Sequence, residues 1–296
     1  MTPENKKRFD TYVSDVNTFL DSYLMQFSQD EDYLILHDAM RYSVENGGKR
    51  IRPVLVLEFS RMCGGEYNEA YNFAAALEMI HTYSLIHDDL PCMDNDDMRR
   101  GKPSCHKKFG EAYALLAGDG LLTAAFQCIA SSELPATCRI KAVEVLARAA
   151  GPDGMVAGQA IDLLNEDRNP DISVIEKTDS YKTGCLLKAA CVLGCIAANA
   201  EKEQYEAARD YADNMGLAFQ IQDDILDVTS TTEKLGKPAL SDIDNGKSTY
   251  VRLLGLDQAR EMVDVLSAKA KQALAPFGKE AAFLIDLTDF LADREN

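Results

Sequence analysis

Two aspartate-rich segments are the residues in this 296-residue chain most able to do chemistry. Residues 88–97 hold five aspartates and residues 223–227 hold three, and both segments open with Asp-Asp after an apolar stretch. Asp223 and Asp227 are four apart, so in a helix they share one face. Two like charges about 4 Å apart repel by roughly 4 kcal/mol at an effective dielectric of about 20. Mg²⁺, which binds a few carboxylates with waters and phosphate oxygens, relieves such repulsion. The pattern favours a magnesium site over a solvated acidic loop.

Other metal sites fit the sequence less well. The Gly and the terminal Glu of an EF-hand are not at their offsets, and no His/Cys spacing is typical of zinc. His81, Ser84 and Asp88 share one helical stripe, so His81 is either a ligand beside the first cluster or a satisfied core residue. Pro91 disfavours helical backbone at the residue before it, which predicts that the chain loops outward over 89–94.

Basic residues next to both clusters predict an anionic ligand. Residues 47–53, Gly-Gly-Lys-Arg-Ile-Arg-Pro, carry three cations and precede a helix whose N-terminus adds backbone donors. Arg99 and Arg100 directly follow the first cluster, and Lys237 and Lys247 follow the second. A diphosphate fits between them, because Arg binds phosphate through two hydrogen bonds and Lys acts as a point charge.

Composition limits the class of protein. The 48 Asp and Glu against 31 Lys and Arg give a formal charge of −17, which argues against bulk electrostatic binding to nucleic acid or anionic lipid. Eight cysteines without a C-x-x-C pair are expected to be free thiols of a reducing compartment. The N-terminus lacks a signal-peptide core, and the longest apolar run, 189–198, is about half of a membrane span. We therefore expect a soluble cytoplasmic protein with no membrane span.

Helices must position these residues, because strand signals are scarce and the apolar spacing is helical nearly throughout. No linker or repeat interrupts the chain, so we expect one domain over 1–296, an all-α bundle of roughly a dozen helices. The predicted helices span 3–27, 32–45, 52–63, 68–89, 111–131, 135–150, 154–164, 172–200, 202–228, 248–254, 256–275 and 279–291.

Together these motifs resemble the trans-isoprenyl diphosphate synthases, and among them the bacterial farnesyl diphosphate synthases. The resemblance covers residues of about 43–254 in family order, and both aspartate motifs contribute to it. The matching segments are 47–53, 81–94, 99–101, 158–162, 181–184, 219–227 and 246–250. The resemblance implies a bundle around a central cavity of the isoprenoid synthase type, and a homodimer. The apolar segment 111–131 is our candidate interface, with a buried core helix as the equal alternative.

The resemblance also implies roles for individual residues. Asp88 and Asp94 would hold two Mg²⁺ and Asp223 a third, with Asp89, Asp224 and Asp227 in support. The allylic diphosphate would be bound by Arg99, Lys182, Lys237 and Lys247. Isopentenyl diphosphate would be bound by Lys49, Arg52, His81 and Arg100. An allylic cation would be stabilised by Thr183, Gln220 and carbonyls near Lys182.

The implied reaction is a magnesium-dependent condensation of isopentenyl diphosphate with dimethylallyl and geranyl diphosphate. In the family, bulky residues four or five positions before the first Asp close the tail pocket; here these are Ser84 and Tyr83. Tyr83 resembles the farnesyl-forming pattern, although the rest of the motif also occurs in geranylgeranyl-forming enzymes. Two rivals are a regulatory subunit, which usually lacks part of an aspartate motif, and a terpene cyclase, which would lack the site at Lys49, Arg52 and His81.

Overall fold

The computed structural model describes residues 1–27, 30–165, 168, 170–229 and 249–294, and almost all regular structure there is helical, as predicted. The α-helices are α1 (Pro3–Met25), α2 (Leu34–Glu45), α3 (Ile51–Met62), α4 (Tyr71–Asp88), α5 (Cys105–Phe109), α6 (Glu111–Ala130), α7 (Ala136–Ala150), α8 (Met155–Asn165), α9 (Ile172–Asp179), α10 (Cys185–Ala197), α11 (Lys202–Thr229), α12 (Tyr250–Leu254), α13 (Leu256–Ala273) and α14 (Ala282–Ala292). Short 3-10 helices cover Tyr67–Ala70 and Ala275–Ala281.

One predicted helix is divided into two. The segment expected as a single helix over 172–200 contains a π-helical turn, Ser180–Gly184, between α9 and α10. The predicted Lys182 and Thr183 both lie on this turn. Single π-turns inside helices are common at functional sites. The helical periodicity of the sequence continues through the turn and therefore did not reveal it.

A small hairpin also departs from the expected absence of strands. Strand β1 (Met98–Arg99) pairs antiparallel with β2 (Lys102–Pro103). The two residues between them, Arg100 and Gly101, have φ of 53° and 77°. Two positive φ values are typical of a type I′ hairpin turn, which usually carries Asn-Gly. Arg-Gly takes that place here, so the usual sequence signal is missing.

The core is formed by helices that are apolar over most of their surface. α10 is buried along nearly its whole length and packs on α3, α4, α7 and α11. Gly194 makes the contact with α3 close, because a Cβ there would lie 2.4 Å from the Val56 carbonyl oxygen. A second, smaller hydrophobic cluster joins α9, α11, α12 and α13. The assignment of one domain to 1–296 stays a prediction.

The cysteines and the apolar helices bear on the expected compartment. All eight cysteines lie in the described ranges and are free thiols, as predicted. Two helical stretches, Glu111–Ala130 and Ile172–Ala197, are apolar and long enough to cross a bilayer, but 44% and 61% of their apolar windows are buried in the fold. Core helices of soluble proteins have the same composition, so these stretches argue only weakly for a membrane span.

Candidate active site

The first aspartate cluster lies at the C-terminal end of α4. The Oδ1 atom of Asp88 accepts a 2.6 Å hydrogen bond from Nε2 of Gln159 on α8. Asp89 is only 2% exposed and accepts two hydrogen bonds from Arg99, that from Nε at 2.9 Å. Burial raises the pKa of both carboxyls, and nearby cations partly offset the rise. The chain then turns outward as predicted and leaves Asp94 exposed.

Lys182 extends from the π-helical turn towards this cluster. Its Nζ forms a 2.7 Å ion pair with Oδ2 of Asp162 on α8. Burial alone lowers the pKa of Lys182, but the charges of Asp88 and Asp162 raise it by more. Gly158 permits the close approach of α8, since a Cβ there would lie 2.1 Å from the Lys182 backbone nitrogen. The segment 158–162 contributed to the resemblance, but no role was predicted for Gln159 or Asp162.

The cations of the basic run at residues 49–52 have different roles: one stabilises the fold and the others belong to the candidate site. Lys49 is exposed, whereas Arg50 is 5% exposed and has a left-handed φ of 51°. The Arg50 Nη1 atom donates to Glu78 on α4 at 2.6 Å, and Nη2 donates to the Val44 carbonyl at 2.6 Å. Arg50 therefore joins helices. Of the three cations expected at an anion site, only Lys49 and Arg52 remain for that role.

Arg52 and His81 lie next to each other in the candidate site. Their Nη1 and Nε2 atoms are 3.5 Å apart, and the buried Arg52 Nε has no hydrogen-bond partner. Burial lowers the pKa of His81 well below its usual value, and Arg52 and Arg100 lower it further, so the imidazole is neutral. Burial also lowers the pKa of Arg52; the charges of Glu78 and Asp223 oppose this, while that of Arg100 adds to it. Arg52 thus interacts with groups beside both aspartate clusters.

The second cluster lies at the end of α11 and contacts the C-terminal segment. The exposed Asp223 accepts a 2.6 Å hydrogen bond from Nη2 of Arg294, whose guanidinium lies 3.9 Å from the centre of the Phe219 ring. Asp224 accepts a 2.8 Å bond from the backbone nitrogen of Tyr250. Asp227 is 2% exposed, although it shares a helical spacing with Asp223. Arg294 belongs to no motif, so nothing in the sequence indicated that it lies beside the second cluster.

Lys49 lies near this second cluster. Although Lys49 is exposed, partial desolvation by the groups around it and the charge of Arg294 lower its pKa, while the charge of Asp223 raises it. Arg100, at the tip of the hairpin, donates to the Gly47 carbonyl oxygen. The hairpin therefore brings Arg99 to the first cluster and Arg100 to the basic run. The predicted Lys237 and Lys247 lie outside the described residues.

The remaining predicted residues lie on α4, the π-helical turn and α11. Thr183 is half-buried beside Lys182, and Nε2 of Gln220 donates a 3.4 Å hydrogen bond to Oδ1 of Asp179. Tyr83 is 7% exposed and burial raises the pKa of its hydroxyl. The Ser84 hydroxyl donates back to the His81 carbonyl at 2.8 Å.

The donor set of the clusters suits magnesium better than a closed metal cage. Among the residues described, no three Asp, Glu, His or Cys side chains enclose a common point. Mg²⁺ ordinarily binds one or two carboxylates, keeps several waters and takes further oxygens from substrate phosphates. The separate carboxylates at the ends of α4 and α11 fit that mode of binding.

Known proteins resemble the chain over most of its length. The Polyprenyl synthetase family model matches residues 34–278. Farnesyl diphosphate synthase of Geobacillus stearothermophilus is 47% identical over 88% of this chain and 89% of its own length. Geranylgeranyl pyrophosphate synthase 3, chloroplastic, of Arabidopsis thaliana is 49% identical over 89% of this chain and 75% of its own.

A solved structure has the same fold. The geranyltransferase of Helicobacter pylori, complexed with magnesium and isoprenyl diphosphate, matches with a TM-score of 0.85 and 30% identity, covering 98% of this chain and 97% of that one. The matched family model covers the first aspartate cluster, the basic run and the second cluster together. On these grounds the chain belongs to the polyprenyl synthetase family.

Proposed function

We propose that the protein is a magnesium-dependent prenyltransferase that condenses isopentenyl diphosphate head to tail with dimethylallyl and then geranyl diphosphate, giving farnesyl diphosphate. Membership of the family supports trans-prenyl synthase activity. The observation that carries the proposal is the half-buried Arg52, whose buried Nε has no hydrogen-bond partner and whose charge interacts with those of Arg100 and Asp223. A cation with a buried, unused donor calls for an anion, and a diphosphate supplies several acceptor oxygens.

In this proposal the basic residues bind isopentenyl diphosphate and orient its double bond. Arg52 and Lys49 contribute fixed charge, and Arg100 approaches from the hairpin. His81 donates one N–H as a neutral imidazole, since burial and the neighbouring arginines keep its pKa low. The released diphosphate takes the final proton, so no protein base is needed. The apolar surroundings exclude water, which would otherwise capture a carbocation.

The aspartates are proposed to hold the metal ions, about three per site as the family resemblance implies, through the carboxylate oxygens that Mg²⁺ prefers. Asp88, Asp94 and Asp223 would be the ligands, with Asp89, Asp224 and Asp227 supporting them. When bound, Mg²⁺ neutralises the diphosphate leaving group. The magnesium named with the Helicobacter pylori geranyltransferase supports this assignment. Arg99 is held by Asp89, and Lys182 by Asp162, so both cations are positioned before a substrate arrives.

The allylic cation that forms when the diphosphate leaves is proposed to be stabilised by the π-helical turn and α11. The Thr183 hydroxyl, the Gln220 amide oxygen and carbonyls near Lys182 would supply negative dipoles, which stabilise a cation most where water is excluded. Gln220 donates its amide N–H to Asp179, which turns its oxygen away from that carboxylate.

Farnesyl diphosphate is the product that we favour, and geranylgeranyl diphosphate is the alternative. Tyr83, five residues before Asp88, is large and buried, which suits a floor that stops chain growth. Ser84 is small and bonds to its own helix. The alternative is supported by the 49% identity to the Arabidopsis thaliana geranylgeranyl pyrophosphate synthase.

Purified protein incubated with MgCl₂, labelled isopentenyl diphosphate and dimethylallyl, geranyl or farnesyl diphosphate tests the function. We expect condensation that EDTA abolishes, with a C15 product. Asp88→Ala and Asp223→Ala should each lose at least ~100-fold in rate, because a missing ligand removes charge neutralisation of the leaving group. Asp153→Ala, which changes an exposed aspartate before α8, is the control.

Two outcomes would overturn parts of the proposal. If no condensation occurs, a regulatory subunit of a prenyl synthase becomes the better interpretation. If both aspartate variants keep full activity, the metal ligands lie elsewhere. We also propose that the protein is a cytoplasmic homodimer, which its free thiols and the exposed apolar residues of α6 support.

A further inference from the structure

The ring of Tyr83 is supported by a second ring, that of His87. The two residues are one helical turn apart on α4, and their ring centroids are 5.6 Å apart with an interplanar angle of 77°. Edge-to-face contact of this kind favours one orientation of a ring over others. His87 directly precedes Asp88 within the first aspartate motif, and its position there indicated no separate role.

His87 is itself fixed by α6. Its Nε2 lies 3.1 Å from the Leu115 carbonyl oxygen, and because a carbonyl only accepts, Nε2 carries the proton in this contact. Gly118 provides the space for the ring, since a Cβ there would lie 2.1 Å from Nε2 and 2.4 Å from Cδ2 of His87. The glycine on α6 thus allows the imidazole to lie between α6 and the Tyr83 ring.

We infer that His87, seated against Gly118, is a positioning residue for product length: it holds the Tyr83 ring as the floor of the prenyl pocket. The inference rests on the proposed function and adds a residue that reaches the product only through Tyr83. A tyrosine alone has two torsions through which its ring can swing out of the way of a growing chain. The His87 ring, which is held at Nε2 and contacts the Tyr83 ring, limits that movement.

The test measures the share of C20 product formed from geranyl diphosphate and labelled isopentenyl diphosphate. Tyr83→Ala should raise the C20:C15 ratio. His87→Ala should raise it roughly threefold to tenfold with Tyr83 still present, as expected for the loss of one aromatic contact. His87→Leu keeps side-chain volume without the ring and should do the same, so it carries the test if His87→Ala does not fold.

Two further variants separate positioning from general damage. His87→Phe restores a ring at the same place and should return the product to the wild-type ratio. The C20:C15 ratio of the double variant Tyr83→Ala/His87→Ala should be only slightly higher than that of Tyr83→Ala, because His87 acts through the tyrosine. His37→Ala is the matched control and should leave the ratio unchanged. His37 lies on α2, and its ring makes a similar contact, at 5.4 Å and 88°, with the ring of Tyr33, which precedes that helix.

The outcomes distinguish the inference from the proposal beneath it. A shifted ratio in Tyr83→Ala with unchanged ratios in His87→Ala and His87→Leu overturns the role of His87 and leaves the floor in place. An unchanged ratio in Tyr83→Ala overturns both the floor and its support. A slower reaction at constant ratio in the His87 variants means that they only disturb the neighbouring Asp88, which also counts against the inference.

Discussion

Asp179 is a carboxyl group in an unusually costly position. It ends α9, accepts the 3.4 Å hydrogen bond from Gln220 and lies near Asp162 and Lys182. Burial raises its pKa from 3.8 to about 6; the Gln220 bond and the charge of Lys182 oppose the rise, and that of Asp162 adds to it. Because the folded chain binds this proton more tightly than the unfolded chain, stability contributed here is gained as the pH falls and lost as it rises through about 6.

Asp179→Asn should therefore stabilise the protein near neutral pH. The amide is close in shape, still accepts from Gln220 and has no charge to bury. We expect the free energy of unfolding in urea to rise by on the order of 2 kcal/mol at about pH 7.5, with the gain shrinking towards about pH 4.5. Asp257→Asn, at the exposed start of α13, should show no comparable gain at about pH 7.5, because its side chain is already in solvent. A gain that stays constant over this pH range would contradict the assignment.

Individual residues also mark how far the sequence could predict the site. Both aspartate clusters and the basic run that contains Arg52 were identified from residue type and spacing. The roles of Lys182 and of Arg52 with His81 were implied only by the family resemblance, and these residues lie on the π-helical turn, α3 and α4. Arg50 could not be separated from Lys49, since the difference depends on a left-handed backbone and a buried Glu78. Such partners are distant in sequence and follow no local pattern.

At the scale of elements, Gly158 allows α8 to pack closely against the π-helical turn and so determines where the turn lies. Gly158→Ala should move the turn, because its Cβ would lie 2.1 Å from the Lys182 backbone nitrogen, and backbone cannot give way cheaply. We expect at least a tenfold loss of kcat, as Lys182 leaves the first cluster, and a loss of roughly 1–3 kcal/mol in unfolding free energy from overpacking. Steady-state kinetics and urea unfolding measure the two effects.

Gly216→Ala is the matched control on α11. A Cβ there would meet Leu187 Cδ1 at 3.4 Å, an ordinary contact with a flexible side chain. We expect wild-type kinetics and equal or slightly higher stability, since alanine is the better helix former. If Gly158→Ala behaved like this control, close packing of α8 would not be what positions Lys182.

The same elements explain why boundaries were predicted better than interruptions. Helix ends fall within a few residues of expectation, because Gly and Pro punctuate an otherwise continuous apolar periodicity. The turn Ser180–Gly184 and the hairpin at 98–103 were missed, although both bear predicted site residues, and the short helix α5 was missed as well. The turn and the hairpin are local departures that tertiary contacts stabilise, here with Gly158 for the turn and Gly47 for Arg100.

At the scale of the whole molecule, the net negative charge and an exposed apolar face have opposite effects on association between copies. The formal charge of −17 makes two copies repel, which disfavours association at low ionic strength. The apolar helix α6, however, has three large apolar side chains in solvent: Tyr113, Leu115 and Leu116 are 41%, 47% and 48% exposed. Such a face gains free energy when a second copy covers it, by roughly 25 cal/mol for each Å² of apolar surface.

Tyr113→Asp/Leu116→Asp should convert the proposed dimer to a monomer. Two charges on the covered face would have to be desolvated, and they add to the repulsion between two acidic chains. Size-exclusion chromatography with light scattering should give twice the chain mass for the wild type and the single mass for the variant. Salt should favour the wild-type dimer, because the Debye length shortens to about 3 Å at 1 M. Ile140→Asp, at a residue 69% exposed on α7, should stay dimeric; a monomeric wild type would contradict the assignment of α6.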